Sequence, residues 1–97
     1  MTTFDQIAGK IIREQELIVG PLAWQEAGKV AGLHIIDQKA GTVSLDNDGS
    51  GPGIIDKLVG QYEHLFGRAS REACREAVAG IIADLAPADV PLSLRSA

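Results

Sequence analysis

Residues 33–55 read LHIIDQKAGTVSLDNDGSGPGII and decide the fold, because they separate two helical halves of the chain. The segments 33–37 and 42–46 are rich in β-branched residues or alternate in polarity. Between them, 38–41 is a connection of hairpin length that ends in glycine. The stretch therefore predicts a β-hairpin that is followed by a glycine-rich loop at 46–53.

The predicted hairpin has two faces of different character. Strand alternation places four residues on a core face, namely Leu33, Ile35, Val43 and Leu45. His34 and Ile36 point to the opposite face, and the aliphatic Ile36 indicates that this face is not fully wet. Because an isolated hairpin is only marginally stable in water, we expect helices to cover it or a second subunit to pair with it.

Apolar residues at helical spacing predict two helices before the hairpin. The first begins at Thr3, and its period breaks at Leu17. Pro21 follows a glycine and is well placed to start the second helix, which Gly32 stops. The apolar positions are Phe4, Ile7, Ala8, Ile11 and Ile12 in the first helix and Leu22, Ala23, Trp24, Ala27, Val30 and Ala31 in the second.

Two further helices follow the loop. Gly67 ends the third, Ser70 caps the fourth, and Pro87 stops it. Their apolar stripes are Ile54, Ile55, Leu58, Val59, Tyr62, Leu65 and Phe66, and Cys74, Ala77, Val78, Ile81, Ile82 and Leu85. The short turn between them predicts an antiparallel pair. The sequence thus predicts one α+β domain over residues 1–87, of order α-α-β-β-α-α, with the β-hairpin packed on the antiparallel helix pair.

The last residues, 88–97, form an extended C-terminal tail in this prediction. Val90, Leu92 and Leu94 alternate with other residues as they do in a strand. Three roles remain open for the tail: disorder, docking as an edge strand on the hairpin, or binding to another subunit.

Length, charge and apolar content limit the classes of function. The 97 residues suit one domain, and 13 acidic against 9 basic residues leave a net charge of −4. A negative net charge disfavours nucleic acid and anionic membranes as partners. The chain has a single cysteine, no secretory-signal pattern and no apolar run of the roughly 18 residues that a membrane span requires. We therefore expect a cytoplasmic protein.

The glycine-rich loop contains the main candidate for an ion or ligand site. Asp46, Asp48 and Ser50 match the oxygen-ligand positions one, three and five of an EF-hand loop. The second half departs from that pattern, because Lys57 stands where a bidentate glutamate is required. A phosphate-binding loop before the third helix is an alternative, which both aspartates oppose. We favour a structural polar turn and expect no metal and no cofactor.

Other candidate residues lie on the predicted helices. Arg68, Arg71 and Arg75 recur at three- and four-residue steps, and they either bind an acidic partner or form a solvated face with local ion pairs. Trp24 is of a type enriched at binding hot spots, with a core position as its alternative. Cys74 falls on an apolar stripe, where it acts as a small buried hydrophobe. No residue is assigned a catalytic role.

These observations favour a non-enzymatic interaction module of a regulatory or signalling type. We expect it to form a homodimer and to bind an unidentified protein. The candidate partner-binding residues are Ile36, Trp24, Arg68, Arg71 and Arg75. The alternative is a small-ligand or ion-binding domain that uses the loop at 46–53 through Asp46, Asp48 and Ser50.

Overall fold

A computed structural model of the chain describes residues 3–46, 48 and 50–95. The helices are α1 (Thr3–Val19), α2 (Leu22–Ala27), α3 (Gly51–Phe66) and α4 (Arg68–Ile82), and the strands are β1 (Leu33–Asp37) and β2 (Thr42–Leu45). Two 3-10 turns follow α4, at Pro87–Asp89 and Leu92–Leu94. The predicted α+β class and the order α-α-β-β-α-α are confirmed.

Several helix boundaries differ from the sequence prediction, including the end of the fourth helix, which lies at Ile82 and not at Pro87. The first helix continues to Val19 and ends only at Gly20, which has a left-handed φ of 72°. The second is shorter than predicted and ends at Ala27. The fourth starts directly after Gly67, whose φ is 90°. Ser70 therefore lies buried inside α4 and does not cap it.

The core is aliphatic and centres on α1. Trp24 and Tyr62 are its two large rings, and the hydroxyl of Tyr62 donates a hydrogen bond of 2.7 Å to the carbonyl of Ala23. This bond joins α3 to α2 and satisfies a polar group that the core would otherwise leave unpaired. The fully buried side chains include Ile7, Ile11, Ile12, Ile55, Leu58, Val59 and Val78.

The hairpin is antiparallel, and β2 is its inner strand. Leu33 pairs with Leu45 and Ile35 with Val43, and Ile36 lies at a register shift between Ile35 and Asp37. Of the predicted core face, three residues are buried, whereas Ile35 is 36% exposed. All of β1 after Leu33 is exposed, so one edge and one face of the hairpin meet solvent.

The first helix supplies the closest cover for the hairpin, whereas the sequence assigned that cover to the third and fourth helices. One stripe of α1 makes the contact. The carboxylate of Asp5 accepts the backbone N–H of Leu45 at 2.9 Å. Two turns further along α1, a guanidinium N–H of Arg13 donates to the carbonyl of Lys39 at 2.8 Å. The reason is that β2 and the hairpin turn each present a backbone group toward α1, and α1 carries the side chains that satisfy these two groups.

Gly9 lies between those two contacts, at the point where α1 and the hairpin turn approach most closely. A Cβ atom at Gly9 would stand 2.9 Å from the carbonyl oxygen of Gly41, which is closer than real Cβ contacts allow. The backbone of α1 fixes the position of this Cβ atom, and the oxygen of Gly41 is itself a backbone atom, so no side-chain rotation can relieve the contact. The packing of the hairpin on α1 thus requires glycine at this helical position.

The segment after α4 lies on the helices and forms no strand in its described residues, 83–95. Pro91 and Leu94 are buried, and the second 3-10 turn contacts both α3 and α4. The domain boundary at residue 87 stays a prediction, and residues 96 and 97 lie outside the described part. Within the described residues, no helix combines the length and apolar character needed to cross a membrane.

We expect Gly9→Ala to lower the free energy of unfolding by about 1–3 kcal/mol, because the added methyl group forces α1 away from the hairpin. Urea denaturation followed by circular dichroism measures this change. Gly60→Ala is the matched control, since Gly60 lies in the middle of α3 with open space where its Cβ would be. That substitution should stabilise the protein by about 0.5–1 kcal/mol. Equal effects of the two substitutions would contradict the close approach.

Candidate functional site

The glycine-rich loop begins where the hairpin ends. The backbone N–H of Asp46 donates to the carbonyl of Gly32 at 2.9 Å, which extends the hairpin pairing by one residue. The Oδ1 atom of Asp46 lies 2.8 Å from Nε2 of His34, and both side chains are exposed. The first predicted ion ligand is therefore already paired with its own hairpin.

The second predicted ligand, Asp48, organises the start of α3. Its Oδ1 atom accepts the backbone N–H of Ser50 at 3.0 Å and also the hydroxyl of Ser50. These two hydrogen bonds lower the pKa of Asp48, because they stabilise the charged carboxylate. The carbonyl of Ser50 in turn accepts the N–H of Ile54, which closes the first turn of α3. This geometry is that of an aspartate turn leading into a helix.

The structure brings Lys57 to the same place as the loop. Lys57, Asp46 and Ser50 line a depression of about 260 Å³ together with Gly32 and Ile54. A cationic side chain in this position opposes a divalent cation. Among the described residues, no group of three or more acidic, histidine or cysteine side chains is arranged to hold a metal ion.

The three arginines of the predicted partner-binding face lie in the first half of α4, and two of them contact their own chain. Arg75 donates to both carboxylate oxygens of Glu72, at 3.0 and 3.2 Å. Arg71 lies 3.7 Å from the carboxylate of Glu63 on α3 and also donates to a carbonyl of the C-terminal segment. Arg68 is exposed. The geometry of Arg71 and Arg75 is that of a solvated face with local ion pairs.

Trp24 lies in the core and not on the surface considered for it in the sequence. Its side chain is 2% exposed, and its indole N–H donates to the carboxylate of Glu16 at 2.8 Å. This bond joins α2 to the last part of α1. The burial leaves no ring surface for a partner, because the apolar face of α2 packs against the core.

Cys74 lies at the contact between α1 and α4, beside a buried glutamine that the sequence did not single out. Gln15 donates from Nε2 to the carbonyl of Ser70 at 3.0 Å and to the sulfur of Cys74 at 3.4 Å. No described residue pairs with its Oε1 atom. Gln15 lies three residues after Ile12 and four after Ile11, so it falls within the apolar stripe of α1. A polar residue within that stripe was the sequence signal that could have identified this buried contact.

Burial sets the chemistry of the Cys74 thiol. It raises the pKa of Cys74 to about 11, although the hydrogen bond from Gln15 opposes this shift. The thiolate, which is the nucleophilic form, is therefore scarce at neutral pH. The exposed side chain of His64 on α3 adds no hydrogen bond to this thiol among the described residues.

An apolar patch lies at the corner where α1 turns into α2. Leu17 and Ile18 in the last turn of α1 are 82% and 57% exposed, and Leu22 at the start of α2 is 39% exposed. We call these three residues the corner patch. The sequence indicated a broken helical period at Leu17, but α1 continues to Val19. Leu17 stands two residues after buried Gln15 on this helix. It therefore points roughly 200° away from the core.

Another exposed aliphatic residue lies on the hairpin. Ile36, a predicted partner-binding residue, is 64% exposed at the register shift of β1, next to Ile35. A partner that covers Ile36 or the corner patch removes aliphatic side chains from water, which favours binding.

No protein-family model matches the chain, and comparisons with curated proteins and with solved structures gave no match.

We expect Asp48→Asn to destabilise the protein at neutral pH, because the charged carboxylate accepts two hydrogen bonds from Ser50. The folded-state pKa of Asp48 lies below its ordinary value of 3.8. Its stabilising effect is therefore present above that ordinary value and is lost as the pH falls through the lowered one. Urea midpoints of both chains from neutral to strongly acidic pH should differ at neutral pH and converge in acid. A pH-independent difference, or one unaffected by Ser50→Ala, would contradict this role.

We expect the Cys74 thiol to be inert in the folded protein at mildly alkaline pH. Its burial and raised pKa should slow the reaction with Ellman's reagent by at least about a hundredfold relative to the chain unfolded in urea. Spectrophotometric labelling under both conditions measures the ratio. Similar rates in the two states would show that the contact between α1 and α4 opens readily.

Proposed function

We propose that this protein is a non-enzymatic interaction module that forms a homodimer and serves a regulatory assembly in the cytoplasm. The exposure of the corner patch supports this proposal. Three large aliphatic residues, Leu17, Ile18 and Leu22, stand within six positions of the chain, on either side of the turn at Gly20 and Pro21. A second copy that covers them removes their side chains from water.

A second copy suits this patch because a twofold axis through it pairs the same apolar residues from both sides. Complete burial of one such side chain contributes about 1.5–3 kcal/mol. Polar and charged residues surround the patch, including the half-buried Glu14 and Glu16 and the exposed Arg13. An apolar centre with a polar rim is the usual composition of a protein interface.

The small size of the patch sets the expected strength of association. A standard interface buries about 800 Å² on each partner, which is more than three aliphatic side chains supply. The dimer must therefore include neighbouring polar surface. We expect a dissociation constant in about the micromolar range, typical of reversible regulatory contacts.

The exposed edge of β1 is a second possible location for the same association. In the antiparallel alternation, the N–H and C=O groups of Ile35 point away from β2 and are available to another strand. However, β1 is short and contains a register shift at Ile36, and both features weaken strand pairing at an edge. The corner patch has no such obstacle, so we assign the interface to it.

The small-ligand or ion-binding alternative stays a prediction. Its two carboxylates are engaged by His34 and Ser50, and Lys57 lines the same depression. Binding of a cation there would first have to break the contact between Asp46 and His34. No contact in the described part of the loop therefore favours it as a second proposed function.

We expect Leu17→Glu to weaken self-association at least about tenfold, because it places a charge at the centre of the interface. Sedimentation equilibrium of the full chain over a range of micromolar concentrations measures the dissociation constant. Ile36→Glu is the matched control, since Ile36 is a similarly exposed aliphatic residue outside the corner patch.

The two variants separate the possible outcomes. Loss of the dimer in Leu17→Glu alone supports the corner patch. Loss in Ile36→Glu alone would move the interface to the β1 edge, and a wild-type chain that stays monomeric throughout would overturn the proposed self-association. Circular dichroism spectra of both variants should match the wild type, because the two side chains are exposed.

A further inference from the structure

The C-terminal segment is bound to the helices in the way that a peptide is bound to a receptor. Its second 3-10 turn lies across α3 and α4, with Pro91 fully buried and Leu94 4% exposed. Leu94 belongs to the same core cluster as residues of the helices. We call the surface of α3 and α4 that holds residues 91–94 the tail groove.

One residue of the segment, Ser93, is recognised through all of its polar groups. The carboxylate of Asp56 on α3 accepts the backbone N–H of Ser93 at 2.9 Å and its hydroxyl at 2.6 Å. The Nε atom of Arg71 on α4 donates to the carbonyl of Ser93 at 3.3 Å. Charged partners on both helices thus bind one short piece of backbone, and charge-assisted hydrogen bonds are the stronger kind. These contacts are all made to Ser93 itself, and none of them involves the residues that link the segment to α4.

The segment is also organised within itself. The guanidinium of Arg95 donates to the carbonyl of Val90 at 3.2 Å and to that of Pro87 at 3.3 Å. Residues 87–95 therefore hold their shape through internal bonds, and a segment ordered in advance loses less entropy when it binds.

The link between this unit and α4 is suited to act as a hinge. The helix ends at Ile82, and Ala86 is extended, with φ −61° and ψ 142°, because a proline follows it. Packing beside the link is loose: Ile82, Leu85, Val90 and Leu94 surround a cleft of about 450 Å³ together with Pro87 and Arg95. Opening the link breaks the backbone hydrogen bonds from Asp84 to Ile81 and from Leu85 to Ile82, and it frees the partly buried side chain of Leu85.

We propose that the tail groove is a peptide-binding site and that the Pro91–Leu94 segment of a second copy occupies it when two chains exchange their tails. An exchanged tail has the same sequence, so it makes the same bonds to Asp56 and Arg71 and buries the same leucine. Only the conformation of residues 83–86 changes. Exchange then depends on protein concentration relative to the effective concentration of the chain's own tail. It uses a surface other than the corner patch and does not depend on it.

A cross-linking experiment tests the exchange directly. One full chain carries Asp56→Cys and another carries Ser93→Cys, both in the Leu17→Glu background, which removes association through the corner patch. The two are mixed at high concentration and oxidised with oxidised glutathione. Neither chain has both new thiols, so a disulfide between these positions is always intermolecular, and it forms in high yield when the tail of one chain lies in the groove of the other. Mass spectrometry of the linked peptides identifies the bond and separates it from any reaction of buried Cys74.

The matched control replaces Ser93→Cys with Leu92→Cys, since Leu92 belongs to the same turn but is 66% exposed. We expect at least about tenfold more covalent heterodimer with Ser93→Cys than with Leu92→Cys, because only the former thiol lies in the groove. Equal yields would indicate random collision and would overturn the exchange, even if the wild-type chain dimerises through its corner patch.

A second measurement does not depend on substitutions in the groove. A fluorescent peptide of residues 87–95 is titrated with the full-length Leu94→Ala chain, whose own tail binds less well. We expect saturable anisotropy changes that are at least about tenfold weaker with the wild-type chain as receptor, because its intact tail competes. A peptide with Ser93→Ala should bind the Leu94→Ala chain more weakly. No saturable binding up to about millimolar protein would overturn the peptide site.

Discussion

The close approach of α1 to the hairpin turn is the constraint on which the remaining structure depends. Asp5, Gly9 and Arg13 are spaced by four residues, so they form one stripe along α1. The two charged side chains bond the backbone of the hairpin, and the missing side chain at Gly9 allows the carbonyl of Gly41 to come within contact distance. Because α1 packs on β2 and accepts the outward backbone N–H of Leu45, a sheet of only two strands is stable in this fold.

The opposite side of α1 holds the other helices in place. Apolar side chains such as Ile7 and Ile11 provide most of that contact, and Gln15 adds a polar one to the carbonyl of Ser70 on α4. A buried amide that finds a partner in only one arrangement favours that arrangement over a slipped one. The helix that carries the hairpin thereby also sets the position of α4, and with α4 the position of the tail groove.

This arrangement leaves two surfaces for binding at different places on the molecule. Leu17 and Ile18 of the corner patch lie on the side of α1 that faces away from the core, so both side chains are exposed. The tail groove is already filled by the chain's own segment through Asp56, Arg71 and the buried Leu94. The first surface is apolar and open, whereas the second is specific and occupied, so they suit association of different kinds.

The sequence by itself determined the α+β class and the order of the elements, because apolar periodicity and glycine or proline signals are local. It also predicted from Lys57 that the aspartate loop is structural, and the structure places Lys57 beside Asp46 and Ser50 in one depression. Only the tertiary structure decided that α1 covers the hairpin, that Trp24 is buried, and that Ser93 and Leu94 bind α3 and α4. Those contacts join residues far apart in the chain, and no local pattern records which backbone group a distant side chain will satisfy.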